Sequence, residues 1–138
     1  LHPNDIDYIE VNIKKLSTIS LGYNFVCLIT NQPQVSMGKI TFSELDKIHS
    51  TIIKFCLSLN LKIDVINFCP HHPHGGYEEE ISNLKIDCFC RKPNPGMFFE
   101  QKYLRNIDLS NSLMVGDSIY DKLASERAGC QFKYIDKL

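Results

Sequence analysis

No apolar run in this sequence approaches the roughly 20 residues that a membrane-spanning helix needs, so no span is expected. Almost no net charge remains, −1 over 138 residues, which removes the electrostatic case for nucleic acid or an anionic membrane surface as partner. The first ten residues, Leu1 to Glu10, are polar and acidic, unlike the basic, then apolar start of a secretory signal. There is no internal repeat, low-complexity tract or linker. A single domain over residues 1–138 is therefore expected, long enough to bury one real core. Apolar content of 43% and charged content of 22% are those of an ordinary soluble globular protein.

What is there is concentrated in one stretch. Residues 69–74 read Cys-Pro-His-His-Pro-His, and residues 88–93 read Cys-Phe-Cys-Arg-Lys-Pro. Cys69, His71, Cys88 and Cys90 offer three soft thiolates and one imidazole in two tight pairs, a donor set that closes a tetrahedral structural zinc site. A connection of about 20 residues without its own secondary structure also needs something to order it. His71 fits best as the nitrogen ligand, because its one-residue gap from Cys69 mirrors the gap between Cys88 and Cys90. His72 and His74 either lie on the surface or line a substrate mouth. With three of the six cysteines so engaged, and Cys27 and Cys56 inside apolar runs as small core residues, a reducing, cytoplasmic setting is expected.

Strand and helix signals alternate along the chain. A weak helical pattern over 9–20 (Val11, Leu16, Ile19) stops at Gly22. Phe25–Thr30 is a short, non-alternating apolar run, as a strand covered on both faces would read. Thr41-Phe-Ser-Glu44 has the form of a capping box, and the helix after it places Leu45, Ile48, Ile52, Phe55 and Leu59 on one face. Ile63–Phe68 reads as a second strand. Asn94 and Pro95 read as the cap and first position of a helix reaching about Asn106. Ser112–Val115 is a third strand, a helix runs from about Ile119 to Gly129, and Gln131–Ile135 is a fourth strand. This order predicts an α/β fold, a Rossmann-like parallel sheet with helices on both faces. Ligands then bind at the carboxyl ends of the strands, where Thr30, Lys92 and Asp117 are expected to share a crevice.

Each candidate residue has a chemical reason to be there. Arg91 offers a planar fork to a phosphate and Lys92 a compact charge for a phosphoryl oxygen. Asp117, in Gly116-Asp117-Ser118-Ile119-Tyr120-Asp121, follows a buried strand and suits Mg²⁺, a hard cation that takes oxygen ligands. Asp121 is placed to orient Lys92 or a metal-bound water. Alternatively, Asp117 and Asp121 are a helix cap and a favourable first-turn charge. Thr30-Asn31-Gln32 supplies a hydroxyl and an amide that can donate to a phosphoryl group, or else ordinary turn chemistry.

In this order, these constellations resemble the haloacid dehalogenase superfamily of phosphatases. The similarity is closest to the D-glycero-D-manno-heptose 1,7-bisphosphate 7-phosphatases and their histidinol-phosphatase relatives. It rests on Thr30-Asn31-Gln32, on Cys69-Pro70-His71-His72-Pro73 and on Cys88-Phe89-Cys90-Arg91-Lys92-Pro93-Asn94-Pro95-Gly96-Met97. The resemblance implies that Thr30 binds the transferring phosphoryl group, with Asn31 and Arg91 at the substrate. Lys92 would stabilise that group, Asp117 would ligate Mg²⁺ with Asp121 in support, and Cys69, His71, Cys88 and Cys90 would hold Zn²⁺. It implies attack by an aspartate on phosphorus and hydrolysis of the resulting aspartyl-phosphate. The substrate would be a small sugar phosphate, handled by a cytoplasmic and monomeric enzyme. A fused sugar-nucleotide enzyme domain in the whole protein stays open.

Two departures stand out. Where the family often has Ser-Gly-Ile-Ala-Arg-Gly, this chain has Pro33-Gln34-Val35-Ser36-Met37-Gly38, so the arginine position is Met37. The family's Asp-x-Asp-Gly nucleophile motif is also not found on a strand. Asp5-Ile6-Asp7 has the letters, but no apolar strand precedes it and no glycine follows, so it reads as a decoy. The chain starts with Leu1 rather than Met, and the expectation is a natural protein that continues upstream. This fragment would lack the first central strand and the nucleophile, and residues 1–138 alone would release no phosphate. The competing readings are a histidinol-phosphate phosphatase and a non-catalytic, zinc-stabilised remnant.

Overall fold

A computed structural model describes residues 3–31, 37–71 and 88–138, and in it helices and strands alternate. The order is α1 (Pro3–Ser20), β1 (Cys27–Asn31), α2 (Phe42–Ser58), β2 (Val65–Cys69), α3 (Gly96–Arg105), β3 (Leu113–Gly116), α4 (Ile119–Ala128) and β4 (Gln131–Tyr134). The α/β class is as expected. β1 pairs with β2, and β3 with β4, in two two-stranded sheets. β3 and β4 run parallel, from Leu113 opposite Gln131 to Gly116 opposite Tyr134. None of the described helices is long and apolar enough to cross a membrane.

The chain forms two compact units. One comprises Leu1–Leu28 with Thr41–Asn67, the other Ile29–Ile40 with Phe68–Leu138. The first is built on an apolar cluster of Ile13, Cys56, Leu61 and Ile63, flanked by Leu16, Val26, Leu28, Ile52 and Ile66. Its loops are tied by polar contacts: Ser17 Oγ donates to Asn60 O at 2.8 Å, and Val26 N to Asp64 Oδ2 at 2.8 Å. Helix α2 starts as its sequence suggests, with Thr41 Oγ1 accepting from Glu44 N at 3.1 Å. Its buried face differs from the expected one. Leu45, His49 and Cys56 are buried, whereas Ile48 and Phe55 are 45% and 38% exposed. Two stripes at helical spacing compete on this helix, and the one that turns inward carries a histidine and a cysteine. Helix α1 begins at Pro3 and so encloses Asp5 and Asp7, which stand on a helix rather than at a strand end.

The second unit packs Phe98, Leu109, Ala124, Ala128 and Cys130 together, with Ile29, Phe99, Ile107 and Met114 against them. Met97 and Ala124 are fully buried. Helix α3 starts one turn position later than the sequence suggests. Pro95 stands at its cap with no side-chain hydrogen bond, because the Asn94 amide is spent elsewhere: its Nδ2 donates to Cys88 O at 3.1 Å. α3 ends at Asn106 and α4 at Gly129, both left-handed, at φ 53° and 78°. α4 opens on a capping box in which Ser118 Oγ accepts from Asp121 N at 3.3 Å and the Asp121 carboxylate accepts from Ser118 N at 3.3 Å.

Candidate active site and metal centre

The segment from Cys88 to Gly96 folds back on itself. Gly96 N donates to Phe89 O at 3.0 Å, Arg91 N to Cys88 O at 3.4 Å, and Asn94 N to Arg91 O at 2.8 Å. A Cβ on Gly96 would lie 2.5 Å from Phe89 O and 2.8 Å from Cys90 N, so only glycine lets the start of α3 meet this knuckle. The tight fold carries Cys88 and Cys90 to Cys69 at the end of β2. The ligand atoms of Cys69, His71, Cys88 and Cys90 all lie within 4.8 Å of one another. The sulfurs are 3.0 Å apart for Cys69–Cys88, 2.7 Å for Cys88–Cys90 and 2.8 Å for Cys69–Cys90. His71 Nδ1 is 3.6 Å from the Cys69 sulfur and 3.5 Å from that of Cys90. All four groups fall where the sequence spacing puts them.

The cysteines are free thiols. Burial pushes the Cys69 thiol up to about 11 and raises that of Cys90. Burial also opposes ionisation of Cys88, but hydrogen bonds from the Cys69 and Cys90 thiols and from the Arg91 and Cys90 backbone bring it below the ordinary value. Two protonated thiols thus share one ionised sulfur. Three sulfurs and an imidazole nitrogen converging on one point fit a soft, tetrahedral cation of the zinc kind. His72 and His74 lie outside the described residues.

Two residues beyond Cys90, Lys92 enters a different kind of site. Lys92 Nζ forms an ion pair with Asp121 Oδ1 and donates to Ile29 O at 3.3 Å. The pair is sheltered, the Lys92 and Asp121 side chains being 12% and 6% exposed. Asp121 Oδ2 accepts from Asp117 N at 3.1 Å. Burial alone would raise the Asp121 pKa, but the Lys92 ammonium and the Asp117 and Ser118 N–H groups hold it below the usual carboxylate value. The main chain of Lys92 is held as well: its N–H donates to Asn31 Oδ1 at 3.0 Å, and its carbonyl accepts from Asn31 Nδ2 at 3.2 Å. Asp117 follows β3 directly and is exposed. Arg91 Nη1 donates to His71 O at 3.4 Å, which ties this cation to the thiol cluster. Thr30 lies on β1 between Ile29 and Asn31, its hydroxyl 3.4 Å from Asn31 O. Gln32 and residues 33–36 lie outside the described residues.

The structure brings Asn31, Lys92, Asp117 and Asp121 into one network. Asp117 joins only through its backbone, so its carboxylate remains for other partners. Mg²⁺ commonly takes one or two carboxylates plus phosphate oxygens and water, and an exposed aspartate at a strand end fits that use. Some participants were not legible in the sequence. Gly116 is one: a Cβ there would lie 2.6 Å from Asp121 Cβ and Oδ2, so the bare glycine makes room for the carboxylate. The Gly-Asp doublet was its only trace. Arg127, which donates from Nη1 to Pro93 O at 3.1 Å, left no signal at all.

Comparison with known proteins places this geometry. The HAD-hydrolase-like family model matches residues 89–135. A D-glycero-beta-D-manno-heptose-1,7-bisphosphate 7-phosphatase of Vibrio cholerae is 34% identical over 133 residues, 96% of this chain and 69% of that protein. A D-glycero-alpha-D-manno-heptose-1,7-bisphosphate 7-phosphatase of Photorhabdus laumondii is 34% identical over 119 residues, 86% of this chain and 61% of that protein. The crystal structure of the D,D-heptose 1,7-bisphosphate phosphatase from B. bronchiseptica with magnesium and phosphate matches with a TM-score of 0.69 at 30% identity. That match covers 89% of this chain and 61% of the other. The chain thus spans between three-fifths and seven-tenths of these relatives' lengths. Sequence, fold and site agree: the chain belongs to the HAD-like hydrolases, in the family of the heptose-1,7-bisphosphate 7-phosphatases.

Proposed function

We propose that residues 1–138 belong to a Mg²⁺-dependent sugar-phosphate phosphatase domain that removes the 7-phosphate of a D-glycero-D-manno-heptose 1,7-bisphosphate. The observation that carries this reading is the sheltered Lys92. Among the described residues, its ammonium spends two of its three N–H bonds on Asp121 and Ile29 O. The third remains for a phosphoryl oxygen. A lysine so fixed needs no reorganisation as charge develops on the transferring group. Thr30 would donate its hydroxyl to the same group, and Arg91 would address the rest of the substrate as a planar fork. Asp117 would hold Mg²⁺, which when bound offsets phosphoryl charge. Cys69, His71, Cys88 and Cys90 would hold Zn²⁺, which fixes the loop that ends in Arg91 and Lys92. The free thiols support a reducing, cytoplasmic compartment, and the small net charge supports a free small-molecule substrate. The named substrates of the relatives include both anomers, so either is open to this enzyme.

The test is phosphate release by the full-length protein in Mg²⁺. The panel holds both anomers of the heptose bisphosphate, histidinol phosphate and simple phosphate esters. Turnover of a heptose bisphosphate, lowered about 100-fold or more by Lys92→Ala, is the expected result. Preference for histidinol phosphate, or no release from any ester, overturns the reading.

A further inference from the structure

We infer that Asn31 is a positioning residue that acts through Lys92; this rests on the phosphatase reading above. A side-chain amide carries one acceptor and one donor group side by side, the pair that a neighbouring strand would present. Asn31 turns both to a single residue 61 positions away, accepting from Lys92 N at 3.0 Å and donating to Lys92 O at 3.2 Å. Ile29, two residues earlier on β1, receives the Lys92 ammonium on its carbonyl at 3.3 Å. One short strand therefore grips Lys92 at both ends, main chain and tip. Asp121 fixes the tip from a different element, α4.

The grip matters because of where Lys92 lies. The segment from Cys88 to Gly96 has neither helix nor strand, so no ladder of backbone bonds sets the height of Lys92 along β1. The Asn31 amide supplies that register. Without it, the ammonium could keep its salt bridge while the backbone beneath it shifts. Displacement of a catalytic group by an ångström can cost on the order of 100-fold in rate. Asparagine is specific for this use: aspartate would retain the acceptor for Lys92 N but set a carboxylate oxygen against Lys92 O, and alanine would supply neither partner.

The experiment is a double-mutant cycle on the full-length protein with Asn31→Ala, Lys92→Ala and the pair, and with Asn31→Asp beside them. Asn31→Ala is expected to lower kcat about 10- to 100-fold with KM nearly constant. Asn31→Asp gives no rescue. In the Lys92→Ala background, Asn31→Ala then costs almost nothing further. A raised KM with kcat intact would make Asn31 a substrate contact and overturn the inference, as would full additivity. The same cycle is read in the affinity for inorganic phosphate in Mg²⁺, which needs no turnover. A parent protein that hydrolyses no ester thus sinks the phosphatase reading, while the binding cycle still decides the role of Asn31. Additive losses of phosphate affinity, or no phosphate binding by the parent, sink the inference. Unfolding midpoints of the variants separate a shifted lysine from a collapsed fold.

Discussion

The thiol cluster and the Lys92–Asp121 pair lie two residues apart in the chain, at Cys90 and Lys92, but they are held together by opposite means. At the ion pair the charges cancel, and the carboxylate also receives two backbone N–H groups. That region is complete with the protein's own atoms. At the cluster, three sulfurs crowd within 3.0 Å of each other with no protein cation to balance them. Such an arrangement is too wide for a disulfide of roughly 2.05 Å and too close for indifferent neighbours. One region is organised by internal charge, the other by an ion it must recruit.

Removing that ion should have the largest effect. Structural zinc contributes an apparent 10–16 kcal/mol or so in small zinc domains, comparable to or above the whole stability of a typical domain. Treatment with a strong chelator, or Cys90→Ser, is expected to abolish stoichiometric zinc by atomic absorption. The unfolding midpoint should fall by more than about 10 °C. A chelated protein that melts where the untreated one does would show that the thiols stand unaided, and the contrast would vanish.

Breaking the ion pair comes next. Asp121→Asn leaves the sheltered Lys92 ammonium without its counter-charge, a loss of about 3–5 kcal/mol for a buried pair. Adding Lys92→Met should recover part of it, because no uncompensated charge then remains. Urea unfolding of the single and double variants measures both quantities. If the double variant is worse than the single, the region depends on more than charge cancellation. Gly116→Ala reaches the same carboxylate without touching a charge. Its methyl group would meet Asp121 Cβ and Oδ2 at 2.6 Å, an overpacking cost of about 1–3 kcal/mol. A variant as stable as its parent would show that Asp121 has room to move.

The same contrast explains what could be read from the sequence. The cluster was legible because its chemistry is local: two pairs of ligands at a one-residue gap, each in a soft-metal pattern. The alternation of elements was legible from apolar runs and caps, and Thr41, Gly129 and the start of α4 lie where those signals put them. The ion-pair network joins residues 29 to 63 positions apart. No spacing rule announces such a partnership, so Asn31 read only as a polar residue at a strand end. Asn94 read as a helix cap because asparagine before proline usually is one; its amide instead closes the knuckle on Cys88 O. Helix α2 misled for a related reason. Its two apolar stripes overlap, and hydrophobicity favoured Ile48 and Phe55 over His49 and Cys56.

His49 offers the smallest effect and the cleanest check on that misreading. It is a titratable group buried on α2, outside both regions compared above. Burial lowers its pKa below the model value of 6.5, against an opposing pull from the Asp46 carboxylate. The folded protein therefore binds this proton less readily than the unfolded chain. The stability that the neutral imidazole contributes is fully present above pH 6.5 and is lost as pH falls through the depressed folded value. Unfolding free energy should decline across that window in the parent. His49→Gln, which keeps a polar side chain of similar reach but cannot titrate, should remove that part of the decline and little else. If the two proteins lose stability in parallel on acidification, His49 is not held neutral by the fold, and the inward stripe of α2 is looser than its burial indicates.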